Sequence, residues 1–459
     1  MLVLDPRGEL AAISMTALTL NGEHGWTWNP AGLCGLLHPR CNPLDILRDD
    51  STTLIPDIDF IMEGLIAVSG TGDGKYFDER SRDWTGKIIL ALVERDGEVS
   101  FASLSRAINA IETDPEAWGQ LLERMMASRH ASVRRTASEM LVKQQDTPKE
   151  FGAVLGSIYA STGFLNDPTL MASLENPDFS LSVLTQDKPV SKVFLNVPAE
   201  YLGIWAPLVR VFFTVAMLYK SRNPQTRRVL LLVDEAGQLG KFEALLRAFT
   251  YGRGMGVRAW AVFQDVGQIE RNFGRPALQG FLGSAQTRQF FGVRDPDTAQ
   301  MLSRMLGSET LEYNDEMAQS AARRSRRSLI SSVLEGADPF DAARDYAHHA
   351  QGEQNRSKQQ RLLMTPDEIL RMPEDRQILF ISGLNLNPIY ATKFPYFSRR
   401  ELAGLYLPNP YHPPADKVQT KTRWGTKWVP VITEPVPERY AAFPQHMHGS
   451  WAYLMGYRP

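Results

Sequence analysis

The stretch Arg227–Gly240 reads RRVLLLVDEAGQLG, an aliphatic run that ends in Asp234 and Glu235. A carboxylate at the carboxyl end of a buried strand can hold a metal ion through water, and a second one beside it can orient or deprotonate an attacking water. Ligands of parallel sheets bind beyond that edge. Taken alone, the pair fits equally well a strand that runs into a helix, where acidic residues favour the N-terminus. The next aliphatic run, VRAWAVFQ, ends in Gln264, an amide placed to sense a γ-phosphate or position water. Two consecutive strands that end in polar groups at one edge favour a nucleotide-hydrolysing site over two unrelated strand ends.

Such a site also needs a phosphate loop. G-x-x-x-x-G-K-[ST] lets backbone N–H groups cradle phosphates while the hydroxyl reaches Mg²⁺. The nearest match is SGTGDGKY, Ser69 to Tyr76, with Ser69 in place of the first glycine and Tyr76 where Ser or Thr is needed. No aliphatic strand leads into it, so it reads as a loop before a helix. Cys34, His38 and Cys41, with His24 upstream, match no common zinc spacing. The cluster RRSRR at Arg323–Arg327 and the pair Arg134–Arg135 can meet phosphates, or can equally be solvated polar faces. Arg253 in YGRGMGV, and Arg288 and Arg294 in TRQFFGVRDPDTA, follow sheet elements. In ring ATPases such positions supply a finger to the neighbouring subunit's γ-phosphate. Arg253 and Arg294 are the candidates, and surface ion pairs are the plainer alternative.

The elements that must position these groups are legible in outline. With 459 residues, 43% of them apolar, the chain can bury two or three cores. A formal charge of -2 excludes a globally basic nucleic-acid binder, so any such contact must be local. Two cysteines build no disulfide framework. The stretch from Gly203 to Tyr219 is the nearest to a membrane span, but Pro207 and Arg210 interrupt it. It reads as a buried helix with Pro207 in its first turn. Residues 1–56 open with a short aliphatic strand, the turn DPRGEL and a helix. Residues 57–186 carry apolar residues at three- and four-residue spacing and read as all-α, with TPKE at Thr147–Glu150 in the form of a capping box. Residues 187–402 return to strands alternating with helices: KVFLNV, VLLLVDE, VRAWAVFQ, TRQFFGV and QILFIS. Within them, the polar stretch from Glu312 to Arg361 reads as mobile. Residues 403–459, rich in proline and aromatics, read as an irregular tail. The fold class is α/β, a sheet domain with a helical domain inserted in it.

This ordered set resembles the type IV secretion coupling proteins, the conjugative DNA-transfer ATPases. The resemblance rests on LVLDPRGEL, TWNPAG, CNPLDIL, GDGKYFDERSRDWTGKIILAL, FLNVPAEYLGIWAPLVRVFF, LLLVDEAGQLGKFEAL, GRGMGVRAWAVFQDVGQIERNFG, FFGVRDPDTAQMLSRMLGSET and ISGLNLNPIY, and covers nearly all of residues 1–402. It implies a RecA-like P-loop NTPase sheet domain that assembles as a homo-hexamer, with an all-α domain that recognises substrate. It implies ATP and Mg²⁺ as cofactors. Single-stranded DNA, relaxase and other relaxosome proteins, and components of the secretion channel are the implied partners. Asp234 would serve Mg²⁺ through water, Glu235 would activate water, Gln264 would sense nucleotide, and Asp5, Arg7 and Glu9 would lie near the nucleotide edge. The family carries a membrane anchor, a strand and a Walker A loop ahead of its DPKGE-like segment. Here the sequence starts at the strand bearing DPRGE, so the first strand and Walker A loop are expected to be missing. A truncated gene, a misassigned start or half of a split protein would each give that. The expected chain is the cytoplasmic portion of a motor, weak or inactive as an ATPase alone, with an exposed apolar sheet edge. Two other readings compete: a non-catalytic DNA- or relaxosome-binding adaptor, and a related double-stranded DNA translocase.

Overall fold

Where the sequence is continuously aliphatic it forms parallel strands. In the computed structural model β1 (Leu2–Pro6), β2 (His24–Trp28), β3 (Ser191–Val197), β4 (Val229–Val233) and β5 (Val257–Ala261) share a five-stranded sheet in the order β2-β3-β1-β4-β5. All four pairings are parallel. β1 and β3, at the middle of the sheet, are buried on both faces and so lack a polar face, while β5 at one end leaves Arg258 and Trp260 exposed. On one face, Val3 and Phe194 pack against Ala11, Ala12 and Leu18 of the helix Glu9–Leu20. Trp28 faces the other way, against Phe212 of the helix Ala206–Arg222, with ring centroids 4.9 Å apart. The structure describes the chain apart from residues 69–71, most of 315–355, parts of 397–404, and 412–416, 442–449 and 457–459.

Chain contacts divide the molecule into two units, Met1–Gln286 with Phe394–Pro459, and Thr287–Lys393. In the first unit the segment between β2 and β3 is helical. It contains Leu54–Leu65, Asp73–Asp96, Phe101–Thr113, Pro115–Ala127, Ala131–Asp146 and Pro148–Thr162. Local sequence starts several of these helices. Ser100 and Ser103 form a reciprocal capping box, and Asp114 caps the backbone N–H of Ala117 behind Pro115. The expected box at Thr147–Glu150 starts a helix, but without a side-chain cap bond. Its Glu150 is taken by Lys143 and by the Tyr76 hydroxyl at 2.6 Å.

The apolar stretch around Pro207 is a buried helix with proline in its first turn. Among the described residues no helix is long and apolar enough to cross a membrane. Its Arg210 is 6% exposed. The guanidinium donates to the carbonyl of Gly64 at 2.6 Å, of Leu239 at 2.7 Å and of Leu65 at 3.5 Å. Gly64 and Leu65 end the helix Leu54–Leu65, so the cation meets the negative end of a helix dipole. Burial pulls the Arg210 pKa down to about 10, which leaves it charged at neutral pH.

Two of the five runs read as a single α/β rhythm do not join the parallel sheet. In the second unit β6 (Thr287–Phe290), β9 (Arg376–Ile381) and β10 (Ile389–Thr392) form an antiparallel sheet. Between them, β7 (Ser308–Asn314) and β8 (Arg356–Leu362) pair with each other. TRQF alternates exposed and partly buried residues, the pattern of a strand covered on one face only. Much of the interior of the stretch expected to be mobile lies outside the described residues, Arg323 and Arg326 of RRSRR among them; Arg324 and Arg327 are exposed. The tail is not wholly irregular. β11 (Lys417–Thr422), β12 (Gly425–Pro435) and β13 (Ser450–Leu454) form a three-stranded antiparallel sheet. Its prolines argued against strands, yet Pro430 sits where pairing passes from β11 to β13, and Pro435 closes β12. Glu434 accepts from the Trp451 indole at 3.3 Å and the Tyr453 hydroxyl at 3.2 Å.

Arg210→Lys retains charge but cannot reach three carbonyls at once. Chemical denaturation of this variant is expected to show a loss of about 2–4 kcal/mol of stability. An unchanged unfolding midpoint would mean that these contacts do not hold the helices together.

Candidate functional site

Parallel register brings the carboxyl ends of the strands to one edge. Leu4 of β1 pairs with Val233 of β4, and Val233 pairs with Ala261 of β5. Asp5 and Asp234 therefore leave adjacent strands at the same level, while Asp5 pairs with Asn196 on the other side.

After β1 the chain turns sharply. Arg7 (φ 87) and Gly8 (φ 77) both lie in the left-handed region. Glycine is required at the second position, because a Cβ there would lie 2.8 Å from the Asn196 amide nitrogen. The turn lets the Asp5 carboxylate accept from the backbone N–H of Leu10 at 3.1 Å and Ala11 at 2.8 Å. Asp5 thereby caps the helix Glu9–Leu20. It is 1% exposed, and that burial pushes its pKa up to about 7, with Glu9 and Asp234 adding to the rise. Arg7 lies 3.8 Å from Glu9 as a loose ion pair.

After β4, Glu235 takes a left-handed conformation (φ 53, ψ 40). Its N–H donates to the Asp234 carboxylate at 3.1 Å, and its C=O accepts from Gln238 N–H at 2.9 Å. The strained backbone aims the side chain at the end of β5, where Gln264 donates an amide N–H to the Glu235 carboxylate at 2.9 Å. Half-burial and the charge of Glu9 raise the Asp234 pKa. Asp5, Glu9, Asp234 and Glu235 thus gather acceptor oxygens and negative charge at one edge.

The structure adds residues that sequence reasoning missed. Gln268 accepts from the Gln264 backbone at 3.0 Å, and its carboxamide packs on Gly237, where a Cβ would lie 2.2 Å away. Asn272 donates to the Gly237 carbonyl at 2.7 Å. These two tie the helix Val266–Phe273 to the turn after Asp234–Glu235, and the glycine in DEAGQ is the one sequence signal for that contact. Asn196 is fully buried, and neither atom of its carboxamide has a hydrogen-bond partner among the described residues. The tail also reaches this edge. Asn409 donates to Glu9 at 3.3 Å, Tyr411 donates to the Arg7 carbonyl at 3.0 Å, and Leu407 N–H reaches the Ile13 carbonyl at 2.9 Å.

Other candidates fall elsewhere. Arg253 is exposed at the amino end of β5, away from the carboxylates of its own chain. Arg294 belongs to the second unit and pairs with Glu374 at 3.4 Å on the surface. Arg288 donates to Ser382 at 2.9 Å. Lys75 of the near-match loop opens the helix Asp73–Asp96 and pairs with Glu79 at 3.6 Å. His38 accepts from Asn29 N–H at 2.9 Å, the Cys34 thiol meets the Arg7 carbonyl at 3.2 Å, and Cys41 is buried. Arg134 donates to the Ser128 carbonyl at 2.7 Å.

The Asp5 carboxyl has a measurable signature. Unfolded, it ionises near 3.8; folded, near 7. Across that window the folded state holds the extra proton, so stability falls as pH rises and levels off above about 7. Asp5→Asn is expected to flatten this part of the profile in denaturant titrations taken across the window. An unchanged slope would place the proton on another group.

Comparison with known proteins bears on the family and the fold. The family described as "Type IV secretory system Conjugative DNA transfer" matches residues 1–336 and 340–425. Conjugal transfer protein TraG of Agrobacterium fabrum is 26% identical over 294 residues, 63% of this chain and 40% of that protein. Protein VirD4 of Rhizobium rhizogenes is 24% identical over 412 residues, 88% of this chain and 55% of that protein. The chain thus spans about half the length of these relatives. The bacterial conjugative coupling protein TrwBdeltaN70 in its unbound form superposes with a TM-score of 0.60 at 17% identity, covering 86% of this chain and 77% of that one. The plasmid coupling protein TrwB in complex with ADP and Mg²⁺ superposes at 0.58 and 16% identity, over 85% and 77%. The fold is that of the coupling protein TrwB, a parallel sheet with a helical domain, and the chain belongs to the type IV secretion coupling proteins of conjugative DNA transfer.

Proposed function

We propose that this chain is the motor portion of a coupling protein that uses ATP to drive single-stranded DNA and protein into a type IV secretion channel. The observation that carries it is the Glu235–Gln264 hydrogen bond of 2.9 Å across two adjacent strand ends, beside the half-buried Asp234. A strained backbone at Glu235 makes little sense in a plain strand end, and good sense where a carboxylate must face water.

The donor set fits one cofactor better than the other. Carboxylate oxygens of Asp234 and its neighbours suit Mg²⁺ held through water, and Glu9 has a buried oxygen with no hydrogen-bond partner among the described residues. When bound, Mg²⁺ would neutralise charge on the phosphates. Glu235 would accept the proton of the attacking water, and Gln264 would hold the Glu235 carboxylate in place and register the nucleotide. The phosphates are less well served. The 459 residues contain no G-x-x-x-x-G-K-[ST], and Lys75 is engaged elsewhere. By itself the chain should therefore bind ATP poorly and turn it over weakly. The exposed β5 edge, where Trp260 is 55% exposed, is the place for a strand that brings such a loop. Residues 57–186 would be the inserted domain that recognises relaxase and relaxosome, and the motor would act as a homo-hexamer on the cytoplasmic side. In that ring Arg253 or Arg294 would act toward a neighbouring subunit. The lack of a phosphate cradle favours one other reading, a non-catalytic adaptor that binds DNA and relaxosome proteins.

ATP turnover with and without single-stranded DNA separates the two. The chain alone is expected to show almost none. A version with a strand and Walker A segment fused ahead of Met1 is expected to gain DNA-stimulated turnover, and Glu235→Gln in that version to lose roughly 10²–10⁴ of it. Robust turnover by the chain alone would overturn the view that it lacks a phosphate cradle. A folded fusion that binds DNA without hydrolysis would leave the adaptor.

A further inference from the structure

The β11–β12 hairpin is tight, with only Arg423 and Trp424 between the paired residues Thr422 and Gly425. The Thr422 hydroxyl bonds the Gly425 carbonyl at 3.0 Å and accepts from Trp424 N–H at 3.3 Å, which fixes the tip. Trp424 is 92% exposed and Trp428, on the returning strand, is 61% exposed. An indole of this size would add much to a core if buried, so two of them held out on one ordered hairpin need another explanation. Lys417 and Arg423 are exposed alongside them. From Lys417 to Thr433 the sequence contains four basic residues and no acidic one, in a chain whose net charge is -2.

We propose that this hairpin is a binding site for single-stranded DNA. Bases stack on exposed aromatic rings with little regard to sequence, while nearby cations meet the phosphates. Register supports a path along the strand. Trp428 lies opposite Gln419 and Lys417 opposite Pro430, so Lys417 and Trp428 share a face, and Trp424 and Arg423 continue it at the tip. The same residue types occur at membrane surfaces. A lipid-facing hairpin would also need a continuous apolar face, and here the register puts Lys417 on the face that carries Trp428. The chemistry is that of any single strand; the assignment to DNA rests on the transfer reading above. The family match ends at residue 425, so Lys427 and Trp428 lie beyond the matched region.

Fluorescence anisotropy of labelled oligothymidylate, oligouridylate and a DNA duplex, titrated with the whole chain, tests the site. Trp424→Ala and Trp428→Ala are each expected to weaken oligothymidylate binding roughly tenfold, with Trp424→Phe close to wild type. Lys417→Ala, on the face of Trp428, should lower the dependence of binding on salt by about one counterion. Thermal unfolding of each variant checks the fold, and Trp424 at the tip can be replaced without touching the core. Wild-type affinity in both Trp→Ala variants would overturn the proposal and leave DNA binding elsewhere on the chain. Tighter binding of oligouridylate, or binding only to vesicles of phosphatidylglycerol, would overturn it in favour of RNA or membrane. The motor reading fails separately, through the Glu235-dependent turnover of the fused chain, which does not depend on the hairpin tip.

Discussion

A single buried cation joins the parts of the first unit. Arg210 leaves the helix that covers the sheet and holds carbonyls from two other places: the end of the helix Leu54–Leu65 and the turn after Asp234–Glu235. Burying a guanidinium is costly unless its N–H groups are all met. The helical segment and the carboxylate edge must therefore keep their positions relative to this helix. A displacement of Leu54–Leu65 removes partners from Arg210, and Arg210 in turn holds Leu239, five residues beyond Asp234. In the motor reading, this is a short mechanical path between the helices that meet substrate and the residues that meet nucleotide.

The edge itself is built against electrostatic preference. Four carboxylates converge where one or two would be stable without help. Asp5 sits above the usual carboxylate range because burial outweighs the two N–H bonds it accepts. Asp234 moves the same way under burial and the charge of Glu9. Left-handed backbone at Arg7 and Glu235 adds strain. Strain and repulsion of this kind persist where surrounding packing fixes them, and they are relieved by a cation.

Much of this was legible in the residues. Asp234, Glu235 and Gln264 stand out because each ends a mainly apolar run, and a parallel sheet leaves its polar groups at such ends. The buried helix at Pro207 was legible because proline and arginine rule out a membrane span. Other features depend on contacts far apart in sequence. Nothing near Asn409 or Tyr411 announces that they reach Arg7 and Glu9, and Gln268 shows its role only once Gly237 is beside it. TRQFFGV and QILFIS looked like further strands of the same sheet, because a run of five residues does not declare its partner. The tail looked irregular because proline is a poor strand former; its position at the change of pairing partner appears only in three dimensions. The roles of Arg253 and Arg294 depend on a neighbouring subunit, which no single chain reveals.

The pairing of β1 with β3 has a consequence for how the protein is made. Leu2 lies beside Val193, and Met1 donates to the Ser191 carbonyl across 190 positions. During synthesis β1 emerges before either strand it pairs with, and β3 comes only after the whole helical segment. Helices depend on local contacts and form quickly, whereas parallel pairing waits on distant ones. The helical segment can fold while the chain is still growing, and in doing so it shortens the loop that must close before β3 reaches β1. An aliphatic strand exposed for that interval is a site for misassociation, so the speed of the helices protects the sheet before the sheet exists.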